Sequence, residues 1–343
     1  MKGHVTFRSK RPEMHFQIER RSLIALAVLI PLAPLLVFAA ACFGNTMIAP
    51  LDVLKTIAGL QGDFVVESLR LPRALLSLLA GAGLGIAGAI LQGIIRNPLA
   101  SPDIVGITGG ASVAAVIFLT YGAGSVSIHL LPFAAIAGAL LVSTLLYLLS
   151  WRDGVTPNRL VLIGIGLAAA MSAATTLMLI ISPVLSFNQA YIWMTGSVYG
   201  ARWENVRVML AVVALLLPLT LYFARSLNAQ ELGDDMAGGF GVAVQRDRLC
   251  LLALSVVLAG TAVAFVGAIG FVGLISPHIA RRLVGRPFGS QVVVAGIVGG
   301  IIVLLADWTA RTAFYPKDIP AGVFTAAIGA PFFLYLLFRA RKF

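Results

Sequence analysis

Residues 70–110 read RLPRALLSLLAGAGLGIAGAILQGIIRNPLASPDIVGITGG, and part of this stretch recurs 179 residues further along the chain. Two glycine-interrupted apolar segments in corresponding halves of a hydrophobic chain indicate a transporter built from repeats. We therefore expect an all-α polytopic membrane protein with an internal inverted repeat, its halves near 68–160 and 247–340. The matched positions are Gly81, Gly88, Ala89, Ile90, Pro98, Gly106 and Gly110 with Gly260, Gly267, Ala268, Ile269, Pro277, Gly285 and Gly289.

The composition places the chain in a lipid bilayer. Of its 343 residues, 59% are hydrophobic and 11% are charged, and the mean hydropathy is +0.96. A water-soluble domain cannot bury that much apolar surface. Because a helix needs roughly 20 apolar residues to cross the hydrocarbon core, the chain has room for about ten transmembrane helices. We expect them near 22–42, 72–95, 103–121, 128–150, 159–181, 205–224, 248–267, 269–283, 290–310 and 321–338.

The division at 267–270 is the weakest, because hydropathy alone would draw one segment through 248–283. Eight or nine spans are therefore the alternatives. With ten spans, 18 of the 25 Lys and Arg residues lie on the side of the N-terminus and 7 on the other side. Basic loops stay in the cytoplasm, which predicts two cytoplasmic termini. Residues 1–21 form a cytoplasmic tail, and 22–343 form one transmembrane domain with a cytoplasmic loop at 225–248.

Several function classes are disfavoured by what the sequence contains. The net charge of +11 comes from short loops beside apolar spans, so membrane topology explains it better than nucleic acid does. The phosphate-binding pattern GxxxxGK[ST] does not occur, and the GxGxxG match at 83–88 lies inside an apolar span, where glycines serve close packing. We expect no catalytic residues, no metal site and no bound cofactor. An ion-coupled carrier is also disfavoured, because the spans are nearly free of ionisable residues. Asp307 is the main exception, and we expect it to form a local ion pair with Arg311, four residues further along the same helix, rather than a proton relay.

Three arginines are expected at the outer mouth. Arg70 and Arg73 flank a Leu-Pro pair just before a long apolar span, and Arg311 reaches the same side from the ninth span. Guanidinium groups form bidentate pairs with carboxylates, so this group suits docking of an acidic protein surface or an anionic ligand. Snorkelling of long basic side chains at the membrane interface is the equal alternative.

Two cytoplasmic regions are candidates for a gate and for a contact with a soluble subunit. The turn RNPLASP at 96–102 carries two prolines that cannot continue a helix; with Thr156-Pro157-Asn158 it could close a pore, or it could be an ordinary turn. The interval 225–248 intersperses apolar residues among four glycines, which predicts two short helices with a glycine bend, the first turn of one carrying Asp234 and Asp235. Exposed apolar residues in a cytoplasmic loop favour a contact with a soluble subunit over a self-packed loop.

The chain closely resembles the iron-siderophore (FecCD-type) permease family of bacterial binding-protein-dependent ABC importers, which also includes the cobalamin permease. The resemblance covers nearly everything after residue 22. It rests on RLPR at 70–73, GAGLGIAGAILQ at 81–92, RNPLASPDIVG at 96–106, WMTGS at 193–197, ELGDDMAGGFGV at 231–242, GAIGFVGLISPHIARR at 267–282, and ADWTAR with DIPAGVFTAAIGAPFFLYLL in 306–337.

The resemblance implies a transport subunit without its own ATPase site in the bacterial inner membrane. It implies a second permease subunit, two ATP-binding subunits that hold ATP and magnesium, and a periplasmic or lipid-anchored siderophore-binding protein. Arg70, Arg73 and Arg311 match docking arginines, and Asn97 and Leu99 match a cytoplasmic gate. Pro157 and Asn158 stand where the cobalamin permease has small hydroxyl side chains. The matched ATPase-coupling residues are Glu231, Leu232, Gly233, Asp234, Asp235, Gly238, Gly239 and Gly241.

The cargo follows from finer likenesses. Residues 151–166 and 231–249 look most like the ferric enterobactin permease subunits, which work as unlike pairs. We therefore expect a ferric catecholate siderophore, moved by ATP-driven alternating access, and a heterodimer, with a homodimer as the alternative. Cobalamin or haem is the alternative cargo within the family, and an ion-coupled secondary transporter is the alternative outside it.

Overall fold

A computed structural model describes residues 4–10, 13–44, 46–122, 126–314 and 316–340. Its membrane part is helical, as expected, while the tail contains an antiparallel hairpin of β1 (His4–Lys10) and β2 (Glu13–Glu19). A short π-helical turn (Val65–Arg70) leads directly into α3. The helices are α1 (Arg20–Cys42), α2 (Pro50–Ile57), α3 (Leu71–Ile95), α4 (Ile107–Tyr121), α5 (Leu131–Ser150), α6 (Pro157–Ile181), α7 (Val184–Met194), α8 (Trp203–Tyr222), α9 (Ala224–Gln230), α10 (Asp234–Gly239), α11 (Val244–Val266), α12 (Val272–Val284), α13 (Phe288–Thr312) and α14 (Ala321–Ala340).

A helix stands at each of the ten predicted spans, and eight of these are long and apolar enough to cross a membrane. The other two are α4, with 15 residues, and α12, with 13. At 1.5 Å per residue they measure about 22 and 20 Å, less than the roughly 30 Å hydrocarbon core. Each follows a non-helical stretch, 96–106 or 267–271. The predicted break at 267–270 is confirmed, whereas α2 and α7 were not predicted.

Helix α3 lies at the centre of the packing. In the apolar stretch of α3, 78% of the residues are buried, compared with 17% in the corresponding stretches of α1 and α6. It contacts α13 most extensively and also packs on α11, α12 and α8. Glycine makes the α3–α13 contact close, since a Cβ on Gly81 or on Gly299 would collide with the carbonyl of the other. Small residues at helix crossings are the usual way for membrane helices to pack tightly.

Candidate functional site

A cavity of about 270 Å³ opens at the end of the molecule that the charge count predicts to be outer. The three predicted docking arginines all line it, together with an exposed lysine and a carboxylate that were not predicted to belong to this site. We call it the outer cavity. Its lining is Thr46, Val65, Leu69, Arg70, Arg73, Arg311, Pro316, Lys317 and Asp318. Its lining contains four basic side chains and one carboxylate.

Arg70 contributes to this cavity from a buried position, with only 6% of its surface exposed. Its Nη1 donates to the carbonyl oxygens of Ala41 and Cys42 at 2.9 and 3.0 Å. Its Nη2 donates to the carbonyl and hydroxyl oxygens of Thr46 at 2.6 and 3.0 Å. Both Nη atoms are therefore occupied by the C-terminal end of α1 and the segment after it. Arg70 holds that segment against α3 and would have to rearrange before it could meet a partner.

Arg73 connects two helices and a loop through one guanidinium group. Its Nε and Nη2 donate to the Asp307 carboxylate at 2.8 to 3.0 Å. Its Nη1 and Nη2 donate to Asp318 at 2.7 and 2.8 Å. Asp307 is buried, with 2% side-chain exposure, whereas Asp318 is 32% exposed. The ring of Tyr199 lies 5.9 Å from the Arg73 Cζ. Asp307 thus fixes Arg73 from inside, while Asp318 covers it from the solvent side.

Arg311 does not form the local ion pair with Asp307 that their spacing on one helix suggested. The Asp307 carboxylate binds Arg73 instead, and Arg311 Nη2 donates to the carbonyl of Ala40. Lys317, exposed on the cavity rim, is a candidate docking residue that sequence reasoning missed. Its position directly before the DIPAG motif was the available signal.

The two non-helical stretches of the repeat meet inside the molecule. Asp103 Oδ1 accepts a hydrogen bond from the Thr108 hydroxyl at 2.7 Å, and a Cβ on Gly270 would lie 4.0 Å from Asp103 Oδ2. The ring of Pro102 lies so close to Gly273 that a Cβ there would come within 2.8 Å of Pro102 Cδ. Paired helix interruptions are the usual sequence marker of a transport site. Here they contact each other directly.

The predicted gate residues lie in two different settings. Asn97 and Leu99 belong to a tight turn, in which Asn97 Oδ1 accepts from the Leu99 N–H at 2.9 Å. This turn follows Arg96, whose φ of 56° ends α3 in the left-handed region. Pro157 and Asn158 were expected in a loop, but they are the first two residues of α6. Proline is well suited to the first position of a helix, because the N–H that it lacks would have no partner within the helix there. Their gate role stays a prediction.

The predicted coupling region folds as two short helices, α9 and α10, joined through Gly233 at φ 118°. We call residues 224–242 the coupling segment. Asp234 and Asp235 occupy the first turn of α10, as predicted. The segment exposes large apolar side chains at the protein surface, namely Leu232 (65%), Met236 (55%) and Phe240 (66%). A self-packed loop would bury these side chains, so the exposed face favours a partner surface.

The chain matches the model of the FecCD transport family over residues 32–339. This chain belongs to the FecCD transport family. The FecCD match includes the outer cavity, the gate residues and the coupling segment. The achromobactin transport system permease protein CbrC of Dickeya dadantii is 47% identical over 321 residues, which cover 93% of this chain and 91% of that protein.

Two further comparisons give a second relative and a solved structure. The ferric enterobactin transport system permease protein FepG of Escherichia coli is 36% identical over 299 residues, covering 85% of this chain and 89% of that protein. An inward-facing metal-chelate-type ABC transporter superimposes with a TM-score of 0.82 at 30% identity, covering 92% of this chain and 99% of that one. The FecCD fold is therefore that of an ABC transporter membrane subunit.

Proposed function

We propose that this chain is the permease subunit of a binding-protein-dependent ABC importer that moves a ferric siderophore into the cytoplasm. The observation that carries the proposal is the FecCD family match across 32–339. In this proposal the chain forms the pathway, and separate ATPase subunits bind ATP and magnesium and drive alternating access. It lies in the bacterial inner membrane with both termini in the cytoplasm.

The outer cavity is proposed as the docking site for the siderophore-binding protein. Arg73, Arg311 and Lys317 present positive charge there, and carboxylates of an acidic protein surface would pair with them. Arg70 acts in this site by holding the end of α1 in place. Charge complementarity of this kind mainly sets the rate and orientation of encounter.

The coupling segment is proposed as the contact with the ATPase subunits. Its exposed side chains, Leu232, Met236 and Phe240, are the size and chemistry of anchors that fill a pocket on a partner protein. The surface around these anchors is open, since a Cβ added at Gly238, Gly239 or Gly241 would meet nothing within 4 Å. Closure of the ATPases would move this segment and, through it, the cytoplasmic gate.

A catecholate chelate is the cargo we propose first, with a heterodimer as the assembly. Support for both comes from the likeness of 151–166 and 231–249 to ferric enterobactin permease subunits. A homodimer, and cobalamin or haem as cargo, are the competing proposals within the family.

Uptake of labelled chelates tests this proposal. Cells lacking this gene would be given ferric enterobactin, ferric achromobactin, a ferric hydroxamate, ferric citrate, cobalamin and haem. The intact gene should restore accumulation of one iron chelate, and vanadate should abolish that uptake because it blocks ABC ATPases. Restored uptake that collapses with a protonophore and resists vanadate would contradict the proposal and favour the ion-coupled carrier. Restored uptake of cobalamin alone would show that cobalamin, and not a ferric siderophore, is the cargo.

A further inference from the structure

Two arginines hold Asp234, the first residue of α10, at the end of the molecule opposite the outer cavity. Nη2 of Arg248 lies 2.9 and 3.0 Å from the two carboxylate oxygens. Nη2 of Arg96, the residue that ends α3, donates to Oδ1 of the same carboxylate. Arg248 is completely buried, while the side chains of Arg96 and Asp234 are 29% and 33% exposed. We call these three residues the charge clamp.

The charge clamp also reaches the loop before α6. Arg248 Nη1 donates to the carbonyl of Val155, which is itself fully buried. Gln245, one turn earlier on α11, accepts from the Val155 N–H at 2.9 Å and donates to its carbonyl at 3.4 Å. The backbone at 155 is thus fixed to the first turn of α11, which in turn is fixed to Asp234.

Both predicted gate regions are neighbours of this arrangement. Arg96 immediately precedes Asn97, and Val155 lies two residues before Pro157. One carboxylate on the coupling segment therefore lies on a continuous polar path to each of the two gate regions. A continuous physical network with discrete contacts is what carries a movement from one site to another.

We propose that Asp234 is a positioning residue that transmits the movement of the coupling segment to both gate regions together. This inference rests on the proposed function. The arm through Arg96 carries the movement to 97–100, and the arm through Arg248 carries it to 151–156. Arg248 needs a negative partner because a buried guanidinium without one is strongly unfavourable. Its arm is therefore the stiffer of the two, and the arm through the partly exposed Arg96 is the adjustable one.

Amide hydrogen exchange of the purified full-length chain in nanodiscs tests the connections without reference to transport. Arg96→Gln should speed exchange about threefold to tenfold at Leu99 and Ala100 and leave 151–156 unchanged, because the net loss is that of one intramolecular hydrogen bond between partly exposed side chains. Gln245→Ala should speed exchange within 151–156 and leave Leu99 and Ala100 unchanged. Asp234→Asn should speed exchange in both regions. Asp235→Asn is the matched control, because Asp235 is exposed and has no ion pair in the described parts of the chain. Equal effects of all four variants, or none, would overturn the inference.

The ratio of chelate transported to ATP hydrolysed, measured with the reconstituted complex, tests the consequence. Arg96→Gln should lower this ratio about threefold to tenfold while hydrolysis continues, and Arg96→Lys should recover part of it. Arg282→Gln should match the unmodified chain, because it removes an exposed charge that has no ion pair in the described parts of the chain. An unchanged ratio in Arg96→Gln would refute the transmission role. Failure of the unmodified complex to transport any chelate would instead refute the proposed function, and the exchange pattern would then still decide whether the clamp joins the two regions.

Discussion

Adding one methyl group at Gly300 should separate the two most extensively packed helices. A Cβ at this position of α13 would lie 2.5 Å from the carbonyl oxygen of Leu78 on α3 and 2.8 Å from its Cδ1. Ordinary contacts begin near 3.4 Å, so the helices would have to move apart by about 0.9 Å. Overpacking of this kind costs about 1–3 kcal/mol, and a backbone oxygen cannot swing away. The contact is with the backbone, so we take the upper end of this range, about 3 kcal/mol. Subtracting about 1 kcal/mol for the better helix propensity of alanine, we expect Gly300→Ala to destabilise by about 2 kcal/mol.

Steric trapping in bicelles measures this free energy of unfolding. The control is Gly166→Ala in α6, where the added Cβ would meet nothing within 4 Å; this variant should be neutral or more stable by up to about 1 kcal/mol. The movement of α13 should also disturb Asp307, two turns further along, and so weaken docking at Arg73. Equal stability of the two variants would refute the argument that backbone contact determines the α3–α13 packing.

Three further predictions concern the two ends of the molecule. Asp307→Ala should destabilise by about 1–3 kcal/mol in the same unfolding assay, because it removes the buried partner of Arg73 and leaves only Asp318 to pair with it; an effect near zero would contradict the assigned pairing. Asp318→Asn should raise binding-protein affinity severalfold in a titration by microscale thermophoresis, because Asp318 competes for Arg73, whereas Asp52→Asn, which breaks an exposed pair with Lys55, should not; a weaker affinity would assign Asp318 to the contact itself. Phe240→Ser should leave folding intact and abolish stimulation of ATP hydrolysis by the binding protein, and full stimulation would exclude Phe240 from the ATPase contact.

Much of the helical layout could be predicted, because the length of an apolar span and the glycines that interrupt it can be read from neighbouring residues in the sequence. The break before α12 follows from the glycines at 267 and 270, and the bend before α10 follows from Gly233. The short helices α2 and α7 could not be predicted in this way. Each is too short to span a membrane, so apolar length, the strongest signal in this chain, says nothing about them.

The pairing of charges was beyond the reach of the sequence. Arg311 was the natural partner of Asp307 by helical spacing, yet Arg73, 234 residues away along the chain, takes that place. The charge clamp likewise joins Arg96 to a carboxylate 138 residues further on. Spacing tells which side chains share a face of one helix. Which helices then face each other depends on the packing of small residues, and only the three-dimensional structure shows it.

The glycine contact between α3 and α13 also bears on how this chain can move. Backbone touches backbone there, so no side chains are available to change rotamers and allow one helix to slide along the other. We expect the two helices to move as one rigid unit, with residues 316–320 near Arg73 at one end and the turn after Arg96 at the other. A displacement at either end would then tilt both helices together and so move the opposite end.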